Sequence, residues 1–373
     1  MATRKGPFRA DHVGSLIRPD RLLEARAKRK AGEITQDALK KLEDDLIREV
    51  IGLQEAAGMK VVTDGEFRRQ TWHVDFLTGF DNVSEAPGKL EVYFKQADGT
   101  VTNNKPNGMY VSGKLNRSKS IQGADFDFIK AATKVTPKVC IPSPSLMHFR
   151  GGREAIDAKA YPNMTDFWAD LARVYNEEIQ DLVKRGLKYL QIDDTNLAYL
   201  CDENFRSAVK ALGEDPDKLP ATYVKLINDC IKGLPDDVTT AIHLCRGNAS
   251  TAGVAKGGYE PVAEALLGGL NVDGFFLEYD DDRSGDFTPL RFVPKGKTVV
   301  LGLVTTKNPR LESADELKRR IDEASKVVPL DQLALSPQCG FSSGAGKRPL
   351  TIDDEKKKLA RIVETADAVW GRA

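Results

Sequence analysis

Short apolar runs alternate along this chain with longer segments in which apolar residues recur every three or four positions. Short runs rich in β-branched residues are typical of strands, and the longer spacing is typical of helices that bury one face. The predicted strands are RADHVG near residue 10, KVVTDG near 60, KVCIPS near 138, KYLQIDD near 188, TTAIHLC near 239, DGFFLEY near 273, TVVLGLV near 298 and QLALSP near 332. Because strands that alternate with helices pair in parallel, the pattern predicts an α/β fold. Eight such strands favour a closed (β/α)8 TIM barrel, formed by residues 1–373 as a single domain.

Four segments carry the helical spacing most clearly. Residues 37–53 and 166–184 each place apolar side chains at steps of three or four. A third helix is predicted to begin at Ser313, because Ser313 and Glu316 have the spacing of a capping box. A fourth is predicted over residues 351–370.

One stretch, residues 81–122, interrupts the alternation. It contains the short alternating runs EVYFK and GMYVSGKL, with polar turn residues between them. Alternating runs around a polar turn indicate a β-hairpin. We therefore predict a hairpin inserted after the second strand, and we expect it to form a lid or a substrate wall at the barrel mouth.

Composition and charge exclude several classes of partner. Lys plus Arg equals Asp plus Glu at 55 each, so no net field attracts nucleic acid or anionic lipid. No apolar stretch approaches the length of a membrane span, and the first residues lack an apolar signal core. Five scattered cysteines do not form a disulfide framework and favour a reducing cytoplasm. We expect a cytoplasmic protein with small-molecule partners, and assembly into a homo-oligomer stays open.

Four metal-binding side chains lie at or just beyond the ends of three predicted strands: His243, Cys245, Glu278 and Cys339. Two thiolates, an imidazole and a carboxylate suit a tetrahedral Zn²⁺ ion. The four are far apart in sequence, so only a fold that gathers strand ends at one face can bring them together. Barrel enzymes keep their active sites at that face. The alternative is four unrelated residues, since buried cysteine often serves as a small apolar side chain.

Polar residues also follow the other predicted strands. They are Ser15 beside Gly14 in HVGS, Glu66 in DGE, His148 after PSPS, Asp193 in QIDD, and Lys307 after TT. Any one of them could be a helix cap, a turn residue or a surface charge. Their shared position at the carboxyl ends of strands predicts an active site at the barrel mouth.

The motifs HVGS-x-x-RP, DGE, QIDD, HLC, FFLEYD and SPQCG occur in this order. Their order and spacing resemble the catalytic C-terminal barrel of cobalamin-independent methionine synthase, and especially short bacterial relatives that lack the N-terminal half. The resemblance covers nearly the whole chain. It implies that His243, Cys245, Glu278 and Cys339 hold a catalytic zinc ion. It also implies transfer of a methyl group from a 5-methyltetrahydrofolate-type donor, or another donor, to homocysteine, which gives methionine.

The same resemblance implies an amino-acid thiol site. Gly14 and Ser15 would meet the carboxylate of homocysteine, and Glu66 and Asp193 would hold its ammonium group. This is chemically sound, because carboxylates accept strong hydrogen bonds from a cationic ammonium. Zinc would keep the substrate sulfur deprotonated, and the thiolate is the nucleophile that attacks the methyl carbon.

The donor side departs from the full-length enzymes. Val111-Ser112-Gly113-Lys114 replaces the arginine-containing segment that contacts the folate, and His148 and Phe149 stand where the family stacks a tryptophan on the pterin. Lys307 stands where relatives keep the histidine assigned as proton donor. We therefore predict that Lys307 contacts the electrophile or its leaving group, with His148 as the other candidate. The identity of the donor, and whether folate binds, stay open.

Other functions remain to be weighed against methionine synthesis. A relative in the same superfamily joins epoxides to coenzyme M with the same zinc chemistry, so another thiol could be the acceptor. A non-catalytic barrel that binds zinc or a thiol is a second alternative. A Schiff-base enzyme built on Lys307, such as an aldolase, is disfavoured by the clustered Cys, His and Glu residues.

Overall fold

The computed structural model describes residues 6–95, 100–249, 252–342 and 349–371. Its strands are β1 (Val61–Val62), β2 (Asp81–Ala86), β3 (Val92–Lys95), β4 (Val101–Asn104), β5 (Gly108–Asn116), β6 (Thr136–Pro137), β7 (Val139–Pro142), β8 (Tyr189–Asp194), β9 (Thr239–Leu244), β10 (Asn248–Ala249), β11 (Ala252–Gly253), β12 (Gly274–Glu278), β13 (Thr298–Val304) and β14 (Leu333–Pro337). Its α-helices are α1 (Asp20–Lys30), α2 (Gln36–Ala56), α3 (Val74–Leu77), α4 (Gly123–Ala132), α5 (Leu146–Phe149), α6 (Met164–Lys184), α7 (Asn196–Tyr199), α8 (Glu203–Ala211), α9 (Leu219–Cys230), α10 (Glu260–Ala263), α11 (Ala314–Ser325) and α12 (Ile352–Trp370). Short 3₁₀ or π turns cover Gly152–Ala155, Glu264–Gly268, Asp282–Ser284, Thr288–Phe292 and Leu330–Gln332.

The predicted strands lie side by side in chain order. Strands β7, β8, β9, β12, β13 and β14 form a six-stranded parallel sheet. On one side β1 pairs in parallel with β6, which runs directly into β7. On the other side Ala10 bridges Leu335 of β14 in parallel. This arrangement confirms the predicted (β/α)8 barrel, with the carboxyl ends of all strands at one face.

The first two strands are shorter than their sequence pattern suggests. Near these strands, side chains donate hydrogen bonds to backbone carbonyl groups that would otherwise pair with a neighbouring strand. Gln191 donates from Nε2 to the carbonyl oxygen of Val13 at 2.6 Å, and the hydroxyl of Thr63 donates to the carbonyl oxygen of Gly14 at 2.5 Å. Buried backbone groups need a partner of some kind, and here the barrel interior supplies it.

The four predicted helices are confirmed as α2, α6, α11 and α12. Helix α11 begins at the predicted capping box. The Ser313 hydroxyl accepts a hydrogen bond from the Glu316 amide at 3.2 Å, and Glu316 accepts one from the Ser313 amide at 2.8 Å. Helix α12 begins at a second capping box, between Thr351 and Asp354. These caps satisfy amide groups that a helix start leaves unpaired.

The insertion is built differently from the single hairpin that we predicted. Strand β2 pairs with β5, and between them β3 pairs with β4, both antiparallel. The two predicted runs therefore pair with other partners and not with each other. The inserted strands pack against the segment that follows β7: Val111 accepts a hydrogen bond from the Asp157 amide at 2.9 Å, and Leu115 accepts one from Arg173 at 2.9 Å.

Within the four described ranges, the structure contains no helix that is long and apolar enough to cross a membrane.

A charged pair lies inside the barrel. Lys138 and Asp11 are both fully buried, and their Nζ and Oδ1 atoms are 2.8 Å apart. Removing one partner leaves the other as an uncompensated buried charge. We expect Lys138→Met to lower the free energy of unfolding by about 3–5 kcal/mol, measured by urea denaturation. The double variant Lys138→Met/Asp11→Asn should recover much of this loss, and a single variant as stable as wild type would contradict the expectation.

Candidate active site

The four predicted metal-binding residues converge at the barrel mouth. His243 lies in β9 and Cys245 directly follows it, Glu278 ends β12, and Cys339 lies two residues after β14. One potential ligand atom from each residue lies within 4.8 Å of those of the other three. The Cys245 and Cys339 sulfur atoms are 3.3 Å apart. Parallel barrel strands end at one face, which explains why residues far apart in sequence meet here.

The burial, hydrogen bonding and pKa shifts of these side chains are compatible with a bound metal ion. Both ring nitrogens of His243 are buried, and neither has a hydrogen-bond partner with acceptable geometry among the described residues. A buried polar group without a partner is costly, and a metal ion would supply one. The hydrogen bond between the two thiols raises the pKa of Cys245 and lowers that of Cys339. Burial raises the pKa of Glu278 to about 7. A cation would relieve this crowding of acidic groups.

A second layer of contacts orients the candidate ligands. Glu278 accepts one hydrogen bond at each oxygen: from the Arg246 amide at 3.1 Å and from the Arg283 guanidinium at 2.9 Å. The Gly247 amide donates to the Cys245 sulfur at 3.3 Å. Such partners hold ligands in the geometry that a metal needs.

A cavity of about 200 Å³ opens beside this cluster. Its walls include three of the four candidate ligands, together with three of the predicted substrate-binding residues: His243, Cys245, Cys339, Ser15, Glu66 and Asp193. The structure therefore brings the predicted metal and acceptor residues to one site.

Glu66 enters the cavity from a turn after β1. It adopts a left-handed backbone conformation with φ of 61°, which is uncommon for a residue with a side chain. Its amide donates to Asp64 Oδ1 at 2.8 Å, which helps to hold the turn. Atom Oε2 is buried without a hydrogen-bond partner in the described structure, and Arg69 lies 3.6 Å from Oε1. Burial raises the pKa of Glu66 to about 7, and the nearby charge of Asp193 acts in the same direction.

Asp193 is held by a chain of hydrogen bonds through the barrel interior. Gln191 donates from Nε2 to Asp193 Oδ1 at 2.7 Å, and Lys138 donates to Gln191 Oε1 at 3.0 Å. The lysine contact fixes which end of the Gln191 amide faces Asp193. Burial raises the pKa of Asp193 to about 6. Two buried carboxylates at one cavity create a site that a cationic ammonium would stabilise.

Gly14 and Ser15 have different positions. Ser15 lines the cavity, whereas Gly14 lies behind the wall with φ of 126°. A Cβ atom at Gly14 would lie 2.6 Å from the Cys140 sulfur, so only glycine fits this turn. Gly340 approaches Ser15 so closely that a Cβ atom there would collide with the Ser15 hydroxyl. These glycines explain the HVGS and SPQCG motifs as packing that positions Ser15.

His148 is buried outside the cavity lining. Its Nδ1 atom lies 2.9 Å from the Tyr223 hydroxyl, and its Nε2 atom lies 3.2 Å from Glu214 Oε1. Its ring meets Trp168 at a centroid distance of 4.9 Å. Both ring nitrogens are thus engaged on the helix side of the barrel. The role predicted for His148 stays a prediction, and these contacts do not support it.

Lys307 also lies outside that lining and faces a neighbouring cavity of about 320 Å³. Its Nζ atom lies 2.9 Å from Asp280 Oδ2 and also binds Asp281. Asp281 in turn binds Arg283, which donates to Glu278. Lys307 is therefore connected to a candidate metal ligand through a chain of ion pairs. Its predicted contact with the electrophile stays a prediction.

Sequence reasoning missed several residues that line the cavity, among them Trp72 and Arg150. Trp72 follows Glu66 in the same loop, and Arg150 directly follows α5. Their positions after the second and third barrel strands were the available signal. Neither residue belongs to a motif that distinguishes it from an ordinary loop residue.

A (β/α)8 barrel with a largely buried His-Cys-Glu-Cys group and a cavity at its strand ends has the architecture of a barrel metalloenzyme. Residues 161–367 match the family model of the cobalamin-independent synthase catalytic domain, and the chain belongs to this family.

The relatives extend over nearly the whole chain. The uncharacterized Bacillus subtilis protein YxjH is 44% identical over 369 residues, covering 98% of this chain and 96% of the relative. A methionine synthase from Pyrococcus abyssi is 25% identical over 333 residues, covering 88% and 85%. The solved structure of a provisionally assigned vitamin-B12 independent methionine synthase from Listeria monocytogenes is 36% identical, covers 99% of this chain and 100% of its own, and superimposes with a TM-score of 0.80.

Proposed function

We propose that this protein is a zinc-dependent thiol methyltransferase that transfers a methyl group from a donor to homocysteine, giving methionine. The observation that carries the proposal is one cavity lined both by two cysteines and a histidine of the candidate metal-binding group and by two buried carboxylates. The membership in the cobalamin-independent synthase family and the methionine synthase named among the relatives support it.

His243, Cys245, Glu278 and Cys339 would hold the zinc ion. When bound, zinc would keep the sulfur of homocysteine in the nucleophilic thiolate form. The protein's own residues place the rest of the substrate.

Glu66 and Asp193 would bind the ammonium group between them, and Ser15 would meet the carboxylate. These contacts would hold the sulfur beside the candidate metal ligands, with a free lone pair directed into the cavity. Positioning of this kind lowers the barrier because the substrate loses its translational and rotational entropy on binding, before the chemical step.

The acceptor site favours an amino-acid thiol over coenzyme M. Coenzyme M carries a sulfonate and no amino group, so the carboxylates of Glu66 and Asp193 would repel it instead of pairing with it. The alternative of epoxide transfer to coenzyme M is therefore disfavoured.

The direct test combines metal analysis with a donor panel. Purified protein should contain one zinc per chain and should convert homocysteine to methionine with at least one of four donors: methyltetrahydrofolate with one glutamate, the same with several glutamates, methylcobalamin, or S-methylmethionine. Bound zinc without loss of homocysteine in any reaction would favour a non-catalytic zinc-binding barrel.

Lys307→Met tests the predicted proton donor. Because Lys307 binds Asp280 and Asp281 outside the cavity, we expect kcat to fall by less than about tenfold, with no change in the shape of its pH profile. Loss of acid–base catalysis would instead cost roughly 10²-fold or more. The matched control is Lys318→Met, at a partly exposed lysine on α11. A loss of roughly 10²-fold together with an altered pH profile would place Lys307 in the chemistry.

A further inference from the structure

Three loops at the barrel mouth carry residues to which we have assigned different roles. We call them the Ser15 loop (residues 14–18), the Glu66 turn (residues 64–69) and the Cys339 loop (residues 339–342). Each contributes its named residue to the lining of the cavity. The first would meet the carboxylate of the acceptor, the second would bind its ammonium group, and the third carries a candidate metal ligand. The relative positions of these loops therefore set the distance between the ammonium site and the sulfur site.

Backbone hydrogen bonds join the Ser15 loop to both of the others. The Leu16 amide donates to the Gly65 carbonyl oxygen at 3.1 Å, and the Phe341 amide donates to the Ser15 carbonyl oxygen at 2.9 Å. The Ser15 loop thus lies between the Glu66 turn and the Cys339 loop. Neither of these two bonds joins those outer loops directly.

The guanidinium group of Arg18 makes that direct connection. Its Nη2 atom donates to the carbonyl oxygens of Glu66 at 3.0 Å and Arg69 at 3.3 Å, both in the Glu66 turn. Its Nη1 atom donates to the carbonyl oxygen of Ser342, in the Cys339 loop, and lies 3.2 Å from the Ser342 hydroxyl. Arg18 is only 4% exposed, so water does not compete for these bonds. One planar group with two separate donor nitrogens therefore holds the two loops against each other.

The Glu66 turn depends on support of this kind. Glu66 has a left-handed backbone conformation with φ of 61°. Such a conformation persists only where the surrounding contacts hold it. Arg18 binds the carbonyl oxygen of this same residue. Without Arg18 the turn would be free to relax, and the Glu66 carboxylate would move relative to the Cys339 loop.

We propose that Arg18 is a positioning residue that selects the chain length of the acceptor thiol. This inference rests on the proposed function, and it gives a role to the arginine of the HVGS-x-x-RP motif. The acceptor must span the distance between the ammonium site and the candidate metal ligands. Homocysteine has one more methylene group than cysteine between its nitrogen and its sulfur. A fixed span that suits homocysteine is therefore too long for cysteine, whereas a loose span would accept both.

The charge of Arg18 has a separate effect, which these two thiols do not distinguish. Burial raises the pKa of Glu66 to about 7, and the positive charges of Arg69 and Arg18 oppose this rise. Loss of Arg18 would therefore also weaken the contact between Glu66 and an ammonium group. Homocysteine and cysteine carry the same ammonium group, so this effect would leave the ratio of their affinities unchanged.

The test measures the binding of homocysteine and of cysteine to the zinc-loaded protein by calorimetry, without a methyl donor. Wild type should bind homocysteine more tightly by about tenfold or more, the usual effect of one methylene group in a fitted site. Arg18→Met should reduce this preference by about fivefold or more, a loss comparable with that of one hydrogen bond to a charged group. Zinc per chain should stay at the wild-type value.

Arg18→Lys provides a second variant that keeps the buried positive charge and most of the side-chain volume. It should therefore fold even if Arg18→Met does not. A lysine has one donor nitrogen in place of the two that contact separate loops. Its preference for homocysteine should lie between those of wild type and Arg18→Met.

The matched control is Arg26→Met. Arg26 lies in α1 and donates to the carbonyl oxygen of Arg69 at 2.8 Å and to that of Phe67, so it also supports the Glu66 turn. Within the described residues it makes no hydrogen bond or ion pair to the Cys339 loop. Arg26→Met should therefore keep the wild-type preference for homocysteine.

The possible results separate this inference from the proposed function. A wild-type preference in both Arg18 variants would overturn the inference and leave methionine synthesis intact. An equal loss of preference in Arg26→Met would also overturn it, because support of the turn alone would then set the preference. Wild-type protein that binds cysteine as tightly as homocysteine would overturn the fixed span. Wild-type protein that binds neither thiol would overturn the proposed function, and the inference with it.

Discussion

Replacing Cys339 with serine should remove most of the zinc and reduce methyl transfer to background. Cys339 lies 3.3 Å from the Cys245 sulfur and belongs to a cluster whose potential ligand atoms all lie within 4.8 Å. A serine hydroxyl has a much higher pKa than a thiol and is a harder ligand, so it does not replace a thiolate on zinc. The measurement is zinc per chain by emission spectroscopy, together with methionine formed from homocysteine.

The control for this prediction is the same substitution at another buried cysteine. Cys201 lies two residues after α7 and outside the cluster, and its sulfur faces the Leu197 carbonyl oxygen at 3.7 Å. Cys201→Ser should keep zinc and activity. If Cys339→Ser retained full zinc occupancy and full activity, the assignment of the metal centre would be wrong.

Replacing either cavity carboxylate with its amide should selectively weaken the binding of homocysteine. Asp193→Asn and Glu66→Gln keep the shape of the side chain and remove the charge that pairs with the ammonium. We expect the KM for homocysteine to rise by roughly 10- to 100-fold, the value of a hydrogen bond between charged groups. The KM for 4-mercaptobutanoate, which is homocysteine without its amino group, should change little. Equal effects on both thiols would show that the contact is not to the ammonium.

The pH dependence of the KM values for the same two thiols tests the ammonium contact independently. Burial raises the pKa of Glu66 to about 7 and that of Asp193 to about 6. A protonated carboxyl group does not pair with an ammonium, so the KM for homocysteine should rise as the pH falls from 8 to 6. The KM for 4-mercaptobutanoate should lack this rise. Glu66→Gln should remove the step near pH 7, and a profile identical to that of wild type would contradict this account.

The barrel and the convergence of the four candidate metal ligands could be predicted from the sequence because their signals are local. Each strand is a short apolar run, and each of the four predicted helices begins at a capping side chain, as at Ser313. His243, Cys245, Glu278 and Cys339 are chemically distinctive residues next to such strands. A closed parallel barrel places all these strand ends at one face, so identity and position together were sufficient to predict where they would meet.

Side-chain direction depended on contacts that are distant in sequence. Lys307 and His148 follow predicted strands like the other candidates. Lys307 binds Asp280 and Asp281, and His148 lies between Tyr223 and Glu214, so neither lines the cavity. The strand end fixes the position of a residue's backbone. The charged and hydrogen-bonding groups around the residue then determine the direction of its side chain.

Contacts between residues that are distant in sequence also explain the other features that the sequence did not predict. Strand β5, which pairs with β2, packs against the segment after β7, a contact that no local pattern encodes. Trp72 and Arg150 come from different loops, and only the folded barrel brings them to one wall. Hydrophobic periodicity and residue chemistry along the chain therefore predicted the barrel and its metal-binding group. The orientation of the cavity's side chains arose from long-range hydrogen bonds and ion pairs that form only in the folded barrel.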